Sequence, residues 1–147
     1  MEVKERKLLI MNIGYIRVST VEQNEIRQVE ALKKYSMDKV FTEKVSVKST
    51  DRPELKAMIG FAREGDTIYI RSLDRLARST KDLLNIVEEL QTKGVYLVSD
   101  KENIDTSTAT GKLIITIISA IAEFERVNLL ERQKEGKFKD RKEIEYR

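Results

Sequence analysis

Four short stretches rich in β-branched and aromatic residues alternate with segments of helical period, and this order restricts the fold more than any other feature of the chain. Residues 10–18 carry Ile13, Tyr15, Ile16 and Val18, residues 40–42 read Val-Phe-Thr, residues 67–70 read TIYI, and residues 95–98 complete the set. Between them, residues 24–34 place Ile26, Val29 and Leu32 at helical spacing. Pro53 opens a second helix, where a missing N–H costs nothing, with Leu55, Met58, Ile59 and Ala62 on its buried face. Ser79 or Thr80 caps a third, with Leu83, Leu84, Val87 and Leu90 on one stripe. Glu64-Gly65-Asp66 and Lys93-Gly94 break the pattern as turns. Residues 44–51, 71–78 and 100–107 show no period and read as loops. Strands alternating with helices predict an α/β fold, with a central, largely parallel β-sheet flanked by helices.

One segment departs from this rhythm. From Thr108 to Glu135 there is no proline, and Gly111 stands alone near the start, which predicts a single helix on the order of 40 Å long. Leu113 to Ala122 is apolar nearly all round. Such a helix needs cover on more than one side, so one face is expected on its own sheet and another against a second subunit. The domain reading is therefore an extension or alternative start at residues 1–10, an α/β core at 11–107, the long helix at 108–136 and a basic tail at 137–147.

In parallel sheets, sites gather at the carboxyl ends of strands. Here the first strand ends at Arg17 and Ser19, and the third runs into Arg71, Asp74, Arg75 and Arg78. Two arginine-bearing strand ends are thus expected to meet at one crevice, joined by Arg52 from the loop before Pro53. The 147 residues contain no histidine and no cysteine, which removes the usual general base, the commonest metal ligand and any thiolate chemistry. Guanidinium groups stay charged and match phosphate oxygens with a rigid donor fork. Several around one point suit a phosphoryl transition state, with Ser19 as nucleophile and Asp74 orienting an arginine or handling a proton. Spacing alone leaves a plainer reading open, in which Ser19-Thr20 with Glu22-Gln23 caps a helix and Asp74 pairs with Arg78. The net charge of +3 permits nucleic acid as a partner without demanding it. No apolar run is long enough to span a bilayer and no secretory signal is evident, so a cytoplasmic location is expected.

The motifs GYIRVST at Gly14 to Thr20, Glu22-Gln23 with the later Gln28, DRPEL at Asp51 to Leu55, LDRLAR at Leu73 to Arg78 and AEFERVNLLER at Ala122 to Arg132 together resemble the serine recombinase family of resolvases and DNA invertases. The resemblance runs in unbroken order from about Ile13 to Gly136, and Gly65-Asp66 before the third strand belongs to it. It implies a catalytic domain for site-specific DNA recombination. Ser19 matches the serine that attacks the DNA phosphodiester and becomes joined to the 5′ phosphate. Arg17, Arg75 and Arg78 match the arginines that hold the scissile phosphate, Arg52 the mobile-loop arginine and Asp74 the acid beside them. Tyr15, Gln23 and Gln28 match supporting polar positions, and Glu43 stands where relatives often carry Asp.

The resemblance also implies double-stranded DNA as substrate, dimers that pair into a tetrameric synapse, and neither metal nor other cofactor. Ile114, Ile117, Ile118, Ile121 and Phe124 are the expected subunit-pairing positions on the long helix. Glu131 and Arg132 fall where family members contact partner subunits and DNA. Relatives bind their sites through a helix-turn-helix beyond this helix, and no such pattern fits between Gly136 and Arg147. The competing reading is an inactive module that assembles synaptic complexes through the long helix alone.

Overall fold

The computed structural model describes residues 9–18, 22–45 and 51–145, the side chains of 22–24 and 137–145 excepted. Five strands form one sheet in the order β2-β1-β3-β4-β5: β1 Asn12–Val18, β2 Lys39–Lys44, β3 Thr67–Ile70, β4 Tyr96–Ser99 and β5 Ile104–Asp105. The first four are parallel, and β5 pairs antiparallel with β4 through Val98↔Asp105 and Ser99↔Ile104. The expected parallel α/β sheet is therefore present, with one antiparallel edge added. Helices α1 Glu22–Leu32, α2 Pro53–Phe61, α3 Leu73–Leu76, α4 Thr80–Lys93 and α5 Ala109–Glu145 accompany the strands. Strand β1 is buried along nearly its whole length, as a strand covered on both faces must be.

Local chemistry explains the boundaries. Pro53 occupies the first turn of α2, and Leu55, Met58 and Ile59 are its buried face. Ser79 caps α4 by accepting the Asp82 N–H at 3.1 Å. Gly94 ends that helix at φ 75°, a left-handed position that favours glycine. The inward stripe of α4 is Leu83, Ile86, Val87 and Leu90, with Leu84 only partly covered.

Three expectations need correction. Residues 71–78 were expected as loop, yet α3 forms a single turn within them. Residues 100–107 contain β5, where Ile104 is buried against the core. Both elements are too short to show a period, and tertiary hydrogen bonds fix them. The third concerns α1. Leu32 is buried as expected, but Ile26 and Val29 are 58% and 39% exposed, and Gln28 takes the buried place beside Leu32. The reason lies at the end of β1. Strand β3 stops at Ile70, opposite Tyr15, so Arg17 has no strand on that side. The Gln28 carboxamide fills the place. Its Oε1 accepts the Arg17 N–H at 3.1 Å and its Nε2 donates to the Arg17 carbonyl at 2.9 Å.

The long helix is 37 residues, about 55 Å at the usual rise. Ile115 anchors it in the core, with Ile114 and Ile118 packed alongside. Ile117, Ile121 and Phe124 point outward, together with Leu113, Val127, Leu129 and Leu130. The expected pairing face is thus divided: Ile114 and Ile118 serve the chain's own core, and the others form an exposed apolar stripe. Among the described residues, no helix is long and apolar enough to cross a membrane.

Candidate active site

The carboxyl ends of β1 and β3 lie side by side, and α3 follows directly from β3. A four-residue helix leaves its last carbonyls without partners inside the helix, and these carry partial negative charge. In this chain arginines take them. Arg17, only 3% exposed, donates from Nε to the Arg75 carbonyl at 3.0 Å and from Nη2 to the Asp74 carbonyl. Arg52, 6% exposed, donates from Nη1 to the Leu76 carbonyl at 2.7 Å. Three consecutive carbonyls of one turn therefore hold two buried cations. Burial pushes the Arg17 guanidinium down from its ordinary range, and nearby Arg75 and Arg52 add to this while Tyr15 and Asp74 oppose it. Arginine remains a cation through such shifts.

Asp82, which the sequence reading did not single out, is the second hub. Its carboxylate accepts both bonds from Arg52 Nη2, at 2.9 and 2.7 Å, and the Arg78 N–H at 2.9 Å. The Arg78 Nε stands 3.8 Å from the same carboxylate. The available signal was the Ser79-x-x-Asp82 spacing, which places an acid in the first turn of α4. Arg52, in the loop just before Pro53, is accordingly held by three hydrogen bonds to two partners, the Leu76 carbonyl and the Asp82 carboxylate. Arg75 is half-buried, and among the described residues its guanidinium forms no hydrogen bond or ion pair. It is the arginine of this cluster most available to an incoming anion.

Asp74 does not pair with Arg78. Its carboxylate accepts from the Ser72 hydroxyl, while its carbonyl serves Arg17. The Ser72 bond, reinforced by Arg75 and Lys101 against partial burial, holds the Asp74 carboxyl below the usual carboxylate range. A depressed acid stabilises the fold above its unfolded value, about 4, and that contribution is lost as pH falls through the folded value. The α3 turn is therefore expected to be unchanged between pH 8 and 5 and to loosen only below about pH 4. An NMR titration of Ser72 and Asp74 checks this; a midpoint above pH 5 would contradict it.

Tyr15 is fully buried, and its hydroxyl donates to Glu43 Oε2 at 3.2 Å. Burial first, then the Glu43 charge, raises the phenol well above its ordinary value. A phenol so held is a structural donor and a poor source of phenolate, which argues against Tyr15 as the nucleophile. Glu43, also buried, accepts the Leu55 N–H at 2.9 Å and the Glu54 N–H at 3.3 Å, so it caps α2 just beyond Arg52. Arg17, Gln28, Arg52, Tyr15, Glu43, Asp74, Arg75 and Arg78 thus form one connected cluster at the sheet's carboxyl edge. Ser19 lies outside the described residues, directly after Val18 in sequence, and so does the Gln23 side chain. Glu131 and Arg132 are exposed on the long helix, far along the chain from this cluster. Among the described residues, no group of three or more acids is placed to hold a metal ion.

Residues 12–145 match the family described as Resolvase, N terminal domain. The transposon Tn917 resolvase of Enterococcus faecalis is 43% identical over 126 residues, which cover 86% of this chain and 68% of that protein. The transposon Tn552 resolvase of Staphylococcus aureus is 46% identical over 129 residues, covering 86% of this chain and 66% of its own. This chain therefore spans about two thirds of the length of these relatives. Among solved structures, the N-terminal catalytic domain of TP901-1 integrase superposes with a TM-score of 0.69 at 33% identity, over 78% of this chain and 96% of that one. A resolvase family site-specific recombinase from Streptococcus pneumoniae shares the fold with a TM-score of 0.70 at 24% identity, over 90% of this chain and 98% of that one.

Proposed function

The chain belongs to the resolvase family of serine recombinases, and from that premise we propose that it is the catalytic domain of a site-specific DNA recombinase. In this reading the Ser19 hydroxyl attacks a DNA phosphodiester. A serine Oγ–P bond forms, the P–O3′ bond breaks, and the serine proton is passed on as the 3′ oxygen leaves as a hydroxyl. The resulting phosphoserine keeps the energy of the broken bond for rejoining after strand exchange. No metal or high-energy cofactor enters the sequence of steps.

The observation that carries the proposal is the seating of Arg17. It lies two residues before Ser19 in sequence and is buried on the α3 carbonyls, so a fixed cation stands near the carboxyl end of β1. Arg75, on the same turn, contacts the phosphate. Arg78 and Arg52 complete the positive rim, and Asp82 fixes both of them. Preorganised donors of this kind stabilise charge that develops on phosphoryl oxygens without reorganising during the reaction. The exposed stripe of Ile117, Ile121 and Phe124 supplies the subunit contact, since monomers rarely leave such apolar surface in water. Basic residues farther along α5 follow the DNA backbone.

The test is to fuse the chain to a helix-turn-helix domain of known target and to look for protein-linked DNA on a denaturing gel. A 5′-linked adduct that persists in a strong chelator is the expected result. Cleavage that depends strictly on magnesium and leaves no adduct would overturn the proposal.

A further inference from the structure

The α3 turn holds Arg17 and Arg52 and carries Arg75, so whatever fixes that turn fixes the site. Its amino end is held from outside. Glu102, in the turn between β4 and β5, accepts the Leu73 N–H on Oε1 at 2.6 Å. The same carboxylate is aimed by the fully buried Ser99, whose hydroxyl donates to Oε1 at 3.0 Å and to Oε2 at 3.3 Å. The turn itself is made rigid by main-chain bonds from Asp100 N–H to the Ile70 carbonyl and from Lys101 N–H to the Arg71 carbonyl, at 3.0 and 2.8 Å. Asn103 then takes a left-handed φ of 54°, a conformation asparagine tolerates, and the chain turns back into β5.

We propose that Glu102 is a positioning residue for the arginine cluster, tying the α3 turn to the segment that leads through β5 into the long helix. This rests on the recombinase reading above for its catalytic consequence. Among the described residues, Glu102 hydrogen-bonds Leu73 and Ser99 and none of the arginines. It acts by holding Leu73, and through Leu73 the register of the Asp74, Arg75 and Leu76 carbonyls. The geometry gives a definite route by which a shift at the start of α5 reaches Arg17: β5 begins two residues after Glu102, and α5 begins four residues after β5 ends.

The test compares Glu102→Ala with Glu102→Gln in the whole chain, carried on the same DNA-binding fusion. Glutamine keeps an oxygen able to accept the Leu73 N–H; alanine does not. Amide exchange at Leu73 is expected to quicken about tenfold or more in the alanine variant and to stay closer to the parent in the glutamine variant, because the side-chain acceptor for that amide is lost only in the former. Exchange at Leu97 in β4, the control for folding, stays unchanged in both. Adduct formation at saturating DNA falls about tenfold in the alanine variant, with the half-saturating DNA concentration unmoved, as expected for misplaced but intact groups. The glutamine variant recovers most of that rate. Unchanged Leu73 exchange in the alanine variant, or equal loss of rate in both variants, would overturn the proposal. Leu73 exchange that responds to Glu102 in a chain that never forms an adduct would uphold the tie and sink the recombinase reading instead.

Discussion

A chain carrying Ser19→Ala is expected to bind DNA through its fused reader and to form no covalent adduct at any enzyme concentration. The substitution removes one oxygen atom just beyond the last registered pair of β1, Val18↔Lys44. It leaves the Gln28 bridge to Arg17 and the Arg17 seat on α3 in place, so the unfolding free energy is expected to stay within about 0.5 kcal/mol of the parent. Rate loss is then a chemical effect and not a folding effect. No histidine or cysteine is present to replace the lost nucleophile, and Tyr15 is committed to Glu43. The same adduct appearing with Ser19→Ala would show that another side chain attacks the phosphate.

The second large effect is structural. Gly111→Ala is expected to destabilise the fold by about 2–3 kcal/mol, although alanine is the better helix former by about 1 kcal/mol. Two terms compete, and the local geometry decides between them. A Cβ at residue 111 would lie 1.7 Å from the Asp105 carbonyl oxygen and 2.4 Å from its carbon. Those atoms are backbone of β5, so they cannot swing aside as a side-chain tip can. The first turn of α5 would have to lift away. With it would go the cap in which the Thr108 hydroxyl accepts the Gly111 N–H at 2.9 Å. Urea unfolding at neutral pH measures the balance. A higher midpoint for the alanine variant would show that helix propensity outweighs the contact.

Much of the architecture was legible because periodicity survives wherever an element is long enough to repeat. β1, β3, α2, α4 and α5 announced themselves by spacing, and Ser79, Gly94 and Pro53 marked their ends for stated steric reasons. Elements of two or four residues carry no period, so β5 and α3 stayed hidden. The first free N–H of α3 is taken by a carboxylate 29 positions away, and no local rule contains that. The face of α1 was misread for a related reason. Burying Ile26 and Val29 would satisfy hydropathy, but an unpaired stretch of β1 needs an amide, and Gln28 supplies it. At the site, arginines at two strand ends pointed to a cluster, and Arg17 and Arg52 do meet at the α3 turn that carries Arg75. The acids that hold it, Asp82 and Glu102, looked like ordinary surface charge, because their partners come from other parts of the chain. Arg52 was expected to join the site from the loop before Pro53, and its burial was not legible, since its guanidinium finds a carbonyl at α3 and a carboxylate at α4 that come from other parts of the chain.

The long helix also has a mechanical side. Its described contacts with the core end near Ile118, yet it continues to Glu145. From Gly111 to that end is roughly 50 Å at the usual rise per residue. A rod clamped at one end multiplies angle into distance: a tilt of about 10° at the clamp sweeps the far tip through roughly 9 Å, more than one helical pitch. Small adjustments where β5 meets α5 therefore become large displacements at the far end, enough, on the recombinase reading proposed above, to change which DNA phosphates that end can reach. The stiffness of one glycine-tight joint thus sets how accurately the far end of the molecule can be aimed.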